Sequence, residues 1–184
     1  MTTRVSLRGM RSPGAGFDQP FEMLDACHDR VRRSLDLLRR LRDYLRGHGH
    51  GCDDSARQAA RDVLRYFDIA APLHHEDEEL HVFPPLLAQE HDAPLVTLVR
   101  QLQRDHVRMA ERWATARGPL QAMADGQLPA FSAEHEAALD GFAECYADHL
   151  RHEDDSIYPA ARALLDPGAQ SAMGQEMARR RGVR

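Results

Sequence analysis

Cysteine is scarce in this sequence and lysine is absent. Only Cys27, Cys52 and Cys145 occur among 184 residues. They are odd in number and form no C-x-x-C pair, which excludes a disulfide framework and fits a reducing, cytoplasmic setting. All 24 basic residues are arginine, a bias of composition that carries no mechanism. No apolar run approaches the roughly 18 residues that a membrane-crossing helix needs. No charged-then-apolar leader opens the chain: residues 1–16 are rich in Ser, Gly and Pro, lack periodicity and read as a disordered segment. Period-two runs of β-branched and aromatic residues are missing, so strands are not expected. A net charge of −5 counts against a nucleic-acid partner.

Helical periodicity fills the rest. Asp18-Gln19-Pro20 opens a first helix, whose apolar stripe includes Phe21, Leu24, Val31, Leu35 and Leu38. It stops at Gly47-His48-Gly49-His50-Gly51. A second helix opens near Asp53-Asp54 and runs toward Pro84-Pro85, with Pro72 expected to kink it or start a fresh segment. A third opens at Asp92 and is expected to end at Gly118-Pro119; a fourth runs from about Ser132 to Pro159 or on to Leu165. Residues 166–184, with Arg179-Arg180-Arg181 and no stripe, read as a frayed tail or a weakly docked helix. The fold class is therefore all-α. The expected architecture is an up-down-up-down four-helix bundle over residues 17–165.

Eleven histidines are the unusual abundance, and their placement matters. In the first helix the stripe passes through His28; in the third it passes through His106. A single inward histidine is more often a neutral core residue than a ligand. Two at matching places in alternate helices shift that balance. The second helix reads His74-His75-Glu76-Asp77-Glu78-Glu79, and the fourth reads His149-Leu150-Arg151-His152-Glu153-Asp154. Aligned without a gap, His74 meets His149, Glu78 meets Glu153, Glu79 meets Asp154, Phe83 meets Tyr158 and Pro84 meets Pro159. The chain thus repeats itself with approximate two-fold symmetry.

Residues four apart share a helix face, so His74 with Glu78, and His149 with Glu153, aim at a common centre. Two buried carboxylates facing each other cannot both stay ionised unless cations lie between them. A pair of metal ions meets that need. His75 and Glu79 are also four apart and replace His74 and Glu78 if the helix is rotated at Pro72. Asp77, Glu76 and Glu90 read as a solvated acidic face. Imidazole with carboxylate suits iron, with manganese and zinc as lesser alternatives. Only Glu78-x-x-His81 matches the Glu-x-x-His pattern of ferritin-like proteins, which need two.

Cys27-His28-Asp29, His74-His75-x-x-Glu78-Glu79 followed by Val-Phe-Pro, Asp105-His106, and His149-x-x-x-Glu153 followed by Ile-Tyr-Pro together resemble the hemerythrin-like family, the HHE cation-binding domains. The resemblance spans about Phe17 to Leu165. It implies a non-haem site of two irons per chain with an oxo or hydroxo bridge, held by His28, His74, Glu78, His106, His149 and Glu153. It further implies a protein that binds or senses oxygen, peroxide or nitric oxide, or handles iron. The alternative within the family is a di-iron oxidoreductase of oxidative or nitrosative stress defence. The oxygen carriers add a histidine one turn past the third-helix one; here that residue is Ala110, so a five-histidine set needs His75 or His152. The partners implied are small diatomic gases or peroxide, with no nucleic acid and no membrane; a protein partner is left open.

Overall fold

The computed structural model describes residues 16–47 and 51–183. The expected disordered segment, apart from Gly16, and the glycine-loop residues His48 and His50 lie outside those residues. The described chain is all-helical. No described helix is long and apolar enough to cross a membrane.

The first helix, α1, is Pro20–Gly47. The second run is segmented into α2 (Asp54–Arg65), a π-helical turn (Tyr66–Ala70), α3 (Ala71–Asp77), a second π turn (Glu78–Val82) and α4 (Phe83–Leu87). The third run is the single helix α5, Ala93–Ala124. The fourth is α6 (Ala133–Ala143), α7 (Tyr146–His152), a third π turn (Glu153–Ile157) and α8 (Tyr158–Leu164). A further helix, α9, spans Pro167–Arg180. Side-chain oxygens cap four starts: Asp53 accepts from the Ala56 amide, Asp92 from Leu95, Ser132 from His135 and Asp166 from Ala169.

A fresh segment, α3, does start at Pro72, and the break before it is a π turn. Each π turn closes with an amide that reaches back five residues: Ala71 to Tyr66, Phe83 to Glu78 and Tyr158 to Glu153. In all three cases the closing residue directly precedes a proline: Pro72, Pro84 or Pro159. Proline has no amide to donate, and its ring crowds the carbonyl four residues back; a wider turn relieves both problems. The helical path therefore widens at these points and continues, rather than ending. At Pro119 the third helix also continues, to Ala124, because Leu120 and Met123 beyond it are fully buried.

The core is two apolar clusters. One gathers Val31, Leu38, Ala71, Met109, Phe142 and Leu150 among others. The other gathers Leu24, Val82, Phe83, Leu102, Ile157 and Met173 among others. Along α1 and α5 the chain passes from the second cluster to the first; along the two segmented runs it passes from the first to the second. Every one of these runs crosses a polar layer on the way. That layer contains His28, His74, Glu78, His106, His149 and Glu153, all buried.

The tail is neither frayed nor loosely attached. Met173 and Met177 of α9 are buried in the second cluster. Gly174 lies so close to the Phe17 carbonyl that a Cβ there would collide with it. Asp77 is no solvated acid: it is fully buried and paired with Arg180 and Arg181. The arginine run of the tail supplies the counter-charge that a buried carboxylate requires.

Candidate metal centre

The six sequence-predicted residues converge in the polar layer. Their ligand atoms form two groups, each with all atoms within 4.8 Å of one another. The first is His28, His74, Glu78 and Glu153; the second is Glu78, His106, His149 and Glu153. Both glutamates belong to both groups. Glu78 Oε1 lies 3.4 Å from His74 Nε2 and 3.9 Å from His28 Nε2, while its Oε2 lies 3.3 Å from His106 Nε2. Glu153 Oε2 lies 3.2 Å from His28 Nε2, while its Oε1 lies 2.9 Å from His149 Nε2 and 3.9 Å from His106 Nε2. Each carboxylate thus presents one oxygen to each group.

The elements explain this convergence. His74 and His149 sit midway along short α-helical segments, and Glu78 and Glu153 open the π turns that follow. The i, i+4 pairs therefore form on regular helix, and the wider turns come immediately after.

The lone histidines are held from the opposite half of the repeat. His28 Nδ1 is 2.6 Å from Asp154 Oδ1, and His106 Nδ1 is 3.0 Å from Glu79 Oε1. Arg32 pairs with Asp154, and Gln103 donates to Glu79 at 2.7 Å. A carboxylate on Nδ1 fixes the ring and leaves Nε2 facing the centre, the arrangement usual behind metal-bound imidazoles. Glu79 is therefore no substitute for Glu78: its carboxylate is at the back of His106 and a third exposed. Asp154 also lines an open groove of about 410 Å³ with Arg32, Leu35, Tyr146 and Leu150.

His75 does not replace His74 either, yet it belongs to the site. A third group joins His75, His106 and His149 within the same 4.8 Å. His75 stacks on His106, with ring centroids 4.1 Å apart and planes at 13°. Burial pushes its pKa well below the usual value, so the ring is neutral and able to ligate. Ala110 is exposed and contributes nothing to the cluster.

The electrostatics describe a protein that holds positive charge here by protonation. Burial opposes charge on His28, but the hydrogen-bonded Asp154 and the neighbouring Glu153 and Glu78 carboxylates outweigh it and push the pKa up to about 11. Burial likewise opposes charge on His106, and Glu78 and Glu79 push it up to about 10. Glu78 is held well below the usual range: burial would raise it, and His74, His106 and His28 overcome that. Even so, Glu78 Oε2 and both oxygens of Glu153 are buried with no properly formed hydrogen bond. Fully buried acceptors of this kind are costly to leave unpartnered. Metal ions between the two groups would satisfy them, and the donor set of imidazole nitrogen and carboxylate oxygen fits iron, manganese or zinc.

Sequence reasoning did not assign a role to Tyr158. Its hydroxyl donates to Glu78 Oε1 and lies 2.8 Å from His28 Nε2. The gapless alignment with Phe83 was the available signal. Met109 is buried within the first cluster and Trp113 packs against it. His81 is partly buried against Glu176 of α9, with Nε2 and Oε2 2.7 Å apart.

Comparison with known proteins bears on these residues directly. Residues 19–161 match the model of the hemerythrin HHE cation-binding domain. The stretch includes all six converging residues, and α9 lies beyond it. A protein of Haemophilus influenzae described as "uncharacterized protein" is 32% identical over 171 residues, covering 92% of this chain and 94% of its own length.

Proposed function

The chain belongs to the hemerythrin HHE cation-binding family, and from that premise we propose that it is a non-haem di-iron protein that binds or senses oxygen, peroxide or nitric oxide. The observation that carries this reading is the sharing of Glu78 and Glu153 between two histidine groups, the arrangement two bridged metal ions require. His28 and His74 would hold one ion, and His106 and His149 the other. His75, grouped with His106 and His149, would be available to the second ion as a third imidazole.

Iron in this site supplies an open coordination position and reversible electron exchange with a small oxidant. The chain supplies everything else. Asp154 and Glu79 hold two rings in the ligating tautomer. The two apolar clusters enclose the layer and keep bulk water out. The four long helical runs are read as an up-down-up-down bundle with a two-fold repeat, to which α9 is added. The three free cysteines favour a reducing, cytoplasmic setting. Iron handling is the related role that the same site would serve.

Metal stoichiometry in ligand variants tests the proposal. Glu153→Ala should cost the chain both irons, because both groups share that carboxylate. His106→Ala should leave the first ion more tightly held than the second. Full iron retention by Glu153→Ala would contradict the bridging assignment.

A further inference from the structure

A line of aromatic rings leads from the candidate metal centre toward the surface. It begins at His75, which is grouped with His106 and His149 and stacked on His106. The His75 ring faces Tyr146, with centroids 6.4 Å apart and planes at 28°. Tyr146 meets Phe142 at 5.4 Å and Phe67 at 5.8 Å. Those two rings meet Trp113 at 4.9 Å and 5.2 Å. All these spacings are those of rings in contact. Tyr146, Phe142 and Phe67 are buried, and Trp113 at the far end is only partly so.

Packing alone explains a cluster of rings, but not how these are ordered. The two that give up an electron most readily stand at the ends: a phenol beside the centre and an indole at the surface. Phenylalanine, far harder to oxidise, fills the space between them. Trp113 is also equipped to lose a proton. Its Nε1 donates to Asp68 Oδ1 at 2.9 Å, and Arg117 Nε and Nη2 hold the same carboxylate at 2.9 and 3.0 Å. An indole that loses an electron becomes acidic, and a carboxylate within hydrogen-bond reach is placed to take its proton. The internal repeat does not duplicate this line. The alignment that pairs Glu78 with Glu153 pairs Phe67 with Phe142 but Ala71 with Tyr146. On the other side of the centre, Tyr158 meets Phe21, which is fully buried.

We infer that this line is an exit for oxidising equivalents, through which Tyr146 and Trp113, rather than the ligands, supply electrons to peroxide at the metal centre. The inference rests on the di-iron reading and gives a role to residues outside the ligand set. Reducing hydrogen peroxide to two waters takes two electrons and two protons. Tyr146 and Trp113 each give one of both, as one O–H and one N–H bond break, and the iron ends as it began. The phenolic proton leaves to solvent by the groove that Tyr146 lines with Arg32, Leu35 and Asp154. The indole proton goes to Asp68, and the electron of Trp113 travels by way of Tyr146. A small one-electron reductant such as ascorbate, meeting Trp113 at the surface, restores both residues with two electrons and two protons.

The full-length protein, loaded with iron and oxidised in air, is mixed with hydrogen peroxide, frozen and read by electron paramagnetic resonance, with iron content measured first. Protein grown on indole-deuterated tryptophan identifies the radical, because Trp113 is the sole tryptophan. The iron-loaded wild type should give a radical signal that narrows with the label, and the metal-free protein none. Tyr146→Phe should keep its iron and lower that signal severalfold, as should Asp68→Asn. Trp113→Phe should keep its iron, lack the signal and show severalfold more oxidation of His106 and His149 by peptide mass. No label-sensitive signal in the iron-loaded wild type, the same signal in metal-free protein, or an undiminished signal in Tyr146→Phe would each overturn the proposal while leaving the di-iron reading intact. Absence of iron from the wild type would overturn both. The labelled wild type carries no substitution, so a variant that fails to fold does not block the test.

Discussion

His28 and His106 each face a carboxylate on both ring nitrogens, and this sets how the metal-free protein answers pH. Their folded values of about 11 and about 10 lie above the ordinary 6.5. A raised histidine contributes stability that is fully present below its unfolded value and is lost as pH rises toward its folded value. The metal-free chain should therefore lose stability between about pH 6.5 and 10, read by denaturant unfolding across that range. Metal binding should respond in the opposite sense, tightening as pH rises, because the same two rings must shed protons to ligate. A metal-free protein equally stable at both ends would contradict the charge assignment. The residues behind the rings are testable separately. Asp154→Asn should weaken metal binding by about 10- to 100-fold without removing a ligand, measured by competition with a chelator. The six converging residues were legible in the sequence because i, i+4 spacing and the internal repeat are local patterns. Tyr158 was not: at 3.6 residues per turn it would lie about 140° around the helix from Glu153. The π turn brings it back to the same side, and periodicity arguments assume no such turn.

The three π turns and α9 are where sequence and structure part. The pattern predicts a kink or a fresh segment at Pro72; a fresh segment starts there, and the break takes the form of a widened turn. The reason is that residues within and just after each turn, Phe67 and Ala71 at one, Val82 and Phe83 at another, are buried and hold the path. The tail lacked a stripe long enough to read, since its buried face is only Met173, Gly174 and Met177. Its arginines and the Asp77 it neutralises are a hundred residues apart in the chain, so no local pattern joins them. Removing both arginines leaves a fully buried carboxylate unpaired next to Glu78. Arg180→Ala with Arg181→Ala should cost about 3 kcal/mol in chemical unfolding. Adding Asp77→Asn should restore part of that loss, which a purely packing role for the arginines would not allow.

The molecule as a whole is two apolar clusters separated by a charged layer. Such a layer weakens a core unless something gives it a reason to exist, and bound metal does so by binding the folded chain alone. At free metal 100-fold above its dissociation constant, binding should add about 2.7 kcal/mol and raise the melting midpoint by about 5–10 °C for a chain of this size. Chelation should reverse that shift. A midpoint indifferent to metal would mean that the layer is stable on its protonated histidines alone.

The most direct test of the central claim is iron per chain, by mass spectrometry on tag-free protein loaded anaerobically, with absorption spectra before and after air. The shared glutamates predict two irons per chain and the growth of near-ultraviolet bands of a bridged ferric pair in air. Protein that holds no stoichiometric metal after loading would contradict the account, and the buried histidines and glutamates would then be a charge cluster within a metal-free helical core.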